Sequence, residues 1–120
     1  LYIPQNYDRS FRGAVSVRSA LGNSLNVPAV RALLLVGVDA FRDRLADLGH
    51  AHVVEEGDYY GFSLALGSAE VTLMEQANAY RTLANDGLMT PLRVRPGSAE
   101  PPRRIVEAGA AAIVRDMLAD

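Results

Sequence analysis

Helix start and stop signals recur at short intervals along this chain, and they restrict it to a mainly α fold built from short helices. Candidate N-caps precede three predicted helices and a glycine ends each one: Ser16 before residues 17–21 and Gly22, Asn26 before residues 27–36 and Gly37, and Asp39 before residues 40–48 and Gly49. Pro28 also suits the first turn of the second helix, where a missing N–H is harmless.

A capping box opens the longest predicted helix, over residues 73–85. Thr72 is followed three residues later by Glu75, so each side chain can bond the other residue's backbone N–H. The apolar stripe predicted to face inward on this helix is Leu73, Ala77, Tyr80 and Ala84. An Ala-rich helix is predicted over residues 108–118, with Ile113 and Leu118 among its inward-facing candidates. Only a short strand is expected, at residues 92–95.

Two segments without apolar periodicity, residues 50–60 and 97–102, are predicted to be exposed connections. The first contains His50 and His52 close to three carboxylates, which are side chains able to bind a metal ion. Because their spacing does not place the two histidines on one helix face, we interpret this segment as a solvated linker. We expect no metal site and no cofactor.

Composition excludes several classes of function. The net charge of −2 is unlike that of a nucleic-acid-binding domain, which is usually strongly basic. The longest apolar run, residues 32–38, is far shorter than the roughly 20 residues of a membrane span, so we expect the chain itself to be soluble. Without Cys there is no disulfide, and all 12 basic residues are Arg. Chemistry that needs a lysine within this chain is therefore absent.

The tripeptide Ser24-Leu25-Asn26, called here the Ser-Leu-Asn motif, lies between the Gly22 break and the Pro28 helix start. In extended backbone, residues two apart point to the same side, so the Ser24 hydroxyl and the Asn26 amide would face one site. Such a pair can relay a proton and hold a substrate amide. The alternative interpretation is structural, with Asn26 simply capping the next helix.

Longer blocks around the motif resemble the transpeptidase domain of class A penicillin-binding proteins, especially the 1C type. The segment from Tyr2 to Asp8, with Pro4, Asn6 and Tyr7, is similar to the family's Pro-x-Asn-Tyr approach segment. Residues 17–30 resemble the stretch that holds the second catalytic motif, and residues 64–72 and 79–87 resemble the segment downstream. Residues 104–106 and 111–118 look like the approach to the third motif.

The resemblance implies three active-site motifs, of which this chain has only the second. The others, Ser-x-x-Lys with the nucleophile and Lys-Thr-Gly on an edge strand, both need a lysine. By resemblance, Ser24 would help proton transfer to the leaving amine, and Asn26 would hold the acyl-side amide of the substrate. Residues 1–120 would then be a fragment: the helical portion of the α/β fold shared by penicillin-binding proteins and β-lactamases, with most of the central sheet missing.

Both ends of the sequence suggest that it is a piece excised from a longer parent protein. The resemblance also implies a function for that parent. That parent would be a serine-type D-Ala-D-Ala transpeptidase that cross-links peptidoglycan stem peptides through an acyl-enzyme, binds β-lactams and carries a glycosyltransferase domain. It would be anchored at the periplasmic face of the bacterial inner membrane, and the fragment alone would be inactive. The alternative is a non-catalytic helical protein-interaction module, in which the Ser-Leu-Asn motif is only a cap.

Overall fold

The fold is that of a computed structural model, which describes residues 3–97 and 100–120. Residues 3–15 lead without regular structure into a series of short helices. The elements are α1 (Val17–Gly22), α2 (Asn26–Val36), α3 (Val38–Asp47), α4 (Gly57–Tyr60), a 3-10 helix (Gly61–Leu66), α5 (Leu73–Ala84), β1 (Leu88–Met89), β2 (Arg103–Arg104) and α6 (Ala108–Leu118). The prediction of a mainly α chain is confirmed.

Helix α2 forms the centre of the first half of the molecule. It packs on the 3-10 helix, on α3 and on α1. Its buried side chains are Val30 and Leu33, and Leu64 of the 3-10 helix is buried as well. Val30 and Leu33 lie three residues apart, so they share one face of the helix. These side chains belong to the small apolar core of this half of the molecule.

The second half is built on α5, which packs against β1 and α6. The two strands pair antiparallel, with Leu88 opposite Arg104. Gly87, just before β1, has φ +82°, and a Cβ at this position would lie 2.0 Å from the Val106 carbonyl oxygen. Only glycine fits that approach, which lets the Gly87 carbonyl accept hydrogen bonds from the backbone N–H groups of Ile105 and Val106.

Hydrogen bonds between α3 and the region of β2 connect the two halves. Arg44 donates to the carbonyl of Ile105 beside β2, and Arg103 of β2 donates to the carbonyl of Asp47 at the end of α3. Asp39 was predicted to cap α3, and this is wrong: it lies in the first turn of the helix, and its Oδ1 accepts from the Gly57 N–H at 3.0 Å. The carboxylate thus caps the start of α4 instead.

The predicted inner face of α5 is wrong. Leu73 is 85 % exposed, and Ala77, Tyr80 and Ala84 are exposed as well. The buried residues are Asn78, Ala79 and Thr82. Burial of the polar ones is possible because the Thr82 hydroxyl donates to the Asn78 carbonyl and the Asn78 side chain accepts from Arg81.

The inward candidates of α6, Ile113 and Leu118, are also exposed, and Ala111 is the residue that is fully buried. Helix α6 packs on both α5 and α1. The expected strand at residues 92–95 is wrong, because those residues form no regular structure. Of the connection predicted at 97–102, residues 98 and 99 lie outside the described part, as do Leu1 and Tyr2.

The segment 50–60 is only partly the exposed connection that was predicted. His50 is 3 % exposed and Val53 is buried, while Gly57 begins α4. Nδ1 of the His50 ring lies 3.1 Å from the Leu45 carbonyl oxygen and Nε2 lies 3.0 Å from the side-chain amide of Gln76, which ties α3 to α5. His50 can be buried because each of its ring nitrogens has a polar partner.

None of the helices within the described residues combines the length and the apolar character needed to span a bilayer.

Candidate active-site motif

The backbone at Ser24 ends α1 in a Schellman motif. The Ser24 N–H donates to the Leu21 carbonyl and the Leu25 N–H donates to the Ala20 carbonyl, both at 3.0 Å. Ser24 has φ +51°, a left-handed conformation that glycine adopts without penalty. The predicted stop at Gly22 is therefore wrong: that glycine is the last helical residue of α1, and the reversal occurs at Ser24.

Asn26 is not a helix cap. It is the first residue of α2, whose N-cap position is taken by Leu25, and its side-chain Nδ2 donates to the Gln5 carbonyl at 3.0 Å. The cap comes from upstream, since Oδ1 of the buried Asn6 accepts from the Val27 N–H at 3.1 Å. The structural interpretation of Asn26 as an N-cap is thus wrong.

The motif lies beside an open groove of about 470 Å³ between α1, α2 and the 3-10 helix. Three polar residues line it, Ser16, Ser24 and Asn26, and the other described lining residues are apolar. The Ser24 side chain is exposed and that of Asn26 is half-buried. Since no titratable side chain is among the described lining residues, the groove offers a hydroxyl and an amide but no base of its own.

Neither histidine is among the described residues that line this groove. His50 is held by Leu45 and Gln76, and Nδ1 of His52 lies 3.1 Å from a carboxylate oxygen of Glu75. Both therefore belong to the junction between α3 and α5. Among the described residues, no three His, Asp or Glu side chains come together in a way that could hold a metal ion.

Two residues of the site surroundings were not found by sequence reasoning. Asn6 was noted only as part of the approach segment, yet it caps α2. Arg18 of α1 forms ion pairs with Asp116 and Asp120 near the end of α6, and these bonds raise the pKa of Arg18. The sequence signal that could have pointed to Asn6 is its place as a polar residue in the irregular Pro-x-Asn segment. No sequence signal pointed to the ion pairs of Arg18, because its partners lie about a hundred residues away.

Comparison with known proteins identifies the family. Residues 3–120 match the model of the penicillin binding protein transpeptidase domain. Penicillin-binding protein 1C of Escherichia coli is 36 % identical over 99 % of this chain, penicillin-binding protein 1B of Vibrio cholerae 38 % over 76 %, and penicillin-binding protein 4 of Bacillus subtilis 35 % over 75 %. The chain spans only 16 %, 11 % and 14 % of the lengths of these relatives. The chain belongs to the penicillin-binding protein transpeptidase domain family.

Proposed function

We propose that this chain is the segment of a peptidoglycan D,D-transpeptidase that carries the second of three active-site motifs, at Ser24 and Asn26. The observation that carries the proposal is the backbone of Ser24. A glycine would end α1 at this position without strain, whereas a serine in the left-handed region is costly. A requirement for the serine hydroxyl beside the groove accounts for that cost, and membership of the family supports the assignment.

The roles of the two side chains follow from what their atoms can do. The Ser24 hydroxyl can accept one proton while it donates another, so it suits proton transfer between the lysines of the other two motifs and the leaving amine. The Asn26 amide offers both a donor and an acceptor, which suits the acyl-side amide of a stem peptide or of a β-lactam. Cross-linking would proceed through an acyl-enzyme on the serine of the first motif.

The fragment alone is proposed to be inactive. Activation of a serine nucleophile requires an adjacent base, and the sequence contains no lysine. The described groove lining supplies no titratable group in its place. The nucleophile and its base would come from the parts of the parent protein that lie outside these 120 residues. No cofactor enters this chemistry.

The parent protein is proposed to be an enzyme of the cell envelope. By its similarity to bacterial penicillin-binding proteins, we place it at the periplasmic face of the inner membrane, with a membrane anchor and a glycosyltransferase domain outside this segment. Its partners would be peptidoglycan stem peptides and β-lactams. In the alternative of a helical interaction module the motif serves only as a cap, and in the structure Asn6, not Asn26, supplies the capping hydrogen bond to α2.

Acylation kinetics of the intact protein test this function. Ser24→Ala and Asn26→Ala should each slow acylation by a labelled penicillin by about 10²–10⁴-fold, the usual range for loss of a positioned proton-transfer or polar-stabilising group. Matched controls are Ser19→Ala, on the exposed surface of α1, and Asn85→Ala, at the far end of α5. If the motif variants and the controls all acylate at the wild-type rate, the proposed role of the motif is wrong.

A further inference from the structure

We propose that Asn6 is a positioning residue for the Ser-Leu-Asn motif: its side chain holds the start of α2 and the adjacent Gln5 carbonyl, and through them fixes the direction of the Asn26 amide. This inference rests on the proposed function, since it assigns a role in acylation to a residue that does not line the groove.

Both polar atoms of the Asn6 side chain are used. Asn6 is 6 % exposed, its Oδ1 accepts from the Val27 N–H at 3.1 Å, and its Nδ2 donates to the Ser10 carbonyl at 2.8 Å. The first partner can only donate and the second can only accept, so the two contacts define the orientation of the amide. One buried side chain thereby joins the irregular segment 5–10 to the first turn of α2.

The cap that Asn6 supplies cannot come from the residue at the N-cap position. Leu25 holds that place and has no polar side-chain atom, so the N–H groups of the first turn need a partner from elsewhere. Asn6 provides it from 21 residues upstream. Because Leu25 and Asn26 follow Ser24 directly, the position of this first turn determines where the motif lies relative to the groove.

The neighbouring peptide group contacts the motif itself. Nδ2 of Asn26 donates to the carbonyl of Gln5 at 3.0 Å. A carbonyl only accepts, so the Asn26 amide must present its nitrogen to Gln5; because the amide is planar, its Oδ1 and its second N–H then have fixed directions. Asn6 follows Gln5 in the chain and is anchored by its side chain, so it holds the Gln5 carbonyl in the place that the Asn26 amide requires.

Three variants of the intact protein separate positioning from folding. Asn6→Leu is similar in shape and loses both hydrogen bonds. Asn6→Asp keeps an oxygen for the Val27 N–H, but it replaces the Nδ2 donor by a carboxylate oxygen that faces the Ser10 carbonyl. Asn6→Ser keeps a hydroxyl, but its shorter side chain cannot reach both the Val27 N–H and the Ser10 carbonyl. For each variant, the second-order rate constant of acylation by a labelled penicillin is measured together with the final stoichiometry of labelling.

A positioning role predicts slower acylation of a protein that still labels completely. We expect the Asn6→Leu rate constant to fall on the order of 10–100-fold, the effect of a misplacement of about 1 Å. Asn6→Ser and Asn6→Asp should each acylate more slowly than the wild type, because each loses at least one of the two hydrogen bonds. A role confined to folding would lower the final stoichiometry and leave the rate constant of the labelled molecules unchanged, and this result would overturn the proposal.

The controls distinguish failure of this inference from failure of the proposed function. Asn85→Leu makes the same substitution far from the motif and should acylate normally. If Ser24→Ala slows acylation while Asn6→Ser and Asn6→Leu retain the wild-type rate constant, only the role of Asn6 is rejected. If Asn6→Leu does not fold, Asn6→Ser and Asn6→Asp decide: wild-type rate constants for both of these variants overturn the proposal.

Discussion

The Glu75 carboxylate accepts a hydrogen bond from the Ala51 backbone N–H at 3.0 Å, so the capping group of α5 also holds the loop that follows α3. The same carboxylate accepts from the Thr72 N–H at 2.8 Å and from the Thr72 hydroxyl, and it lies beside His52. The bond from the Thr72 N–H is the largest cause that lowers the pKa of Glu75 from 4.5 to about 2. Glu75 thus joins two parts of the fold through hydrogen bonds that are strongest when it is ionised.

The first prediction is a loss of stability in acid that depends on Glu75. A carboxyl whose pKa is lower in the folded state stabilises that state above its unfolded pKa, and the contribution is lost as pH falls. The window here extends from about pH 4.5 down to about pH 2. In denaturant unfolding across this range, Glu75→Gln should show a smaller acid-dependent loss than the wild type.

Glu70→Gln is the matched control for this measurement, because it removes an exposed carboxylate upstream of the same helix. This control should keep the acid-dependent loss of the wild type. If the free energy of unfolding has the same pH dependence in the wild type and in Glu75→Gln, the Glu75 carboxylate does not contribute to the loss of stability in acid.

The second prediction sets stability against activity at Ser24. Since φ is +51° at this residue, Ser24→Gly should stabilise the fold by about 1 kcal/mol, as the left-handed conformation costs a residue with a Cβ roughly that much. Ser24→Ala keeps the Cβ and should leave stability nearly unchanged. Both variants lose the hydroxyl, so both should acylate slowly in the intact protein. A less stable Ser24→Gly would show that the serine backbone is not strained.

Local signals made most helices predictable. The capping box of α5 joins residues three apart, Thr72 and Glu75, and the structure confirms it. Helix α6 has the predicted bounds, Ala108–Leu118. These features depend on backbone hydrogen bonds between near neighbours, which the sequence order itself brings together. The mainly helical chain is consistent with its place as one part of the penicillin-binding protein and β-lactamase fold.

The packing faces were harder to predict, because they depend on distant segments. The stripe of Leu73 and Tyr80 is the more apolar face of α5, yet the side with Asn78 and Thr82 is buried. Periodicity predicts that the apolar side of a helix faces the core. It cannot show that the polar side chains of α5 form local hydrogen bonds that permit their burial. The choice of face is made by β1 and α6, which pack on α5.

The candidate site was found in part. The Ser-Leu-Asn motif with its surrounding blocks pointed to Ser24 and Asn26, and this assignment stays a prediction. The role of Asn6 could not be read from local patterns, because its partner Val27 is 21 residues away. The left-handed backbone of Ser24 was also missed, since Gly22 offered a more obvious helix stop two residues earlier.

The third prediction compares two leucines of α2. Leu33 is 4 % exposed and Leu35 is 89 % exposed in this chain. Leu33→Ala should lower the free energy of unfolding by about 2–5 kcal/mol, because it removes buried methyl groups and leaves a cavity. Leu35→Ala should change it by less than about 0.5 kcal/mol. Equal effects of the two substitutions in denaturant unfolding would mean that the buried face of α2 is assigned wrongly.

The fourth prediction concerns limited proteolysis with trypsin. Residues 91–97 are all exposed and form no regular structure, so they should open at little cost in free energy. Between α5 and β2 the first cut is expected after Arg93, as Arg95 is followed by a proline. Arg81 is protected within α5, where it donates to Asn78 and Thr90. Mass spectrometry of early fragments checks this order, and an initial cut after Arg81 would contradict it.

The last prediction separates this chain from its proposed parent. Formation of a penicillin adduct requires a serine activated by a base, and the chain has no lysine to act as one. Ser24 is exposed beside the groove, but the described groove lining has no titratable group, and both histidines are engaged at the junction between α3 and α5. Incubation of the 120-residue chain with a labelled penicillin should therefore give no covalent adduct in intact-mass spectrometry, while the full-length parent should label. A stoichiometric adduct on Ser24 of the isolated chain would show that this hydroxyl is itself nucleophilic, and the roles proposed for the motif would have to be reassigned.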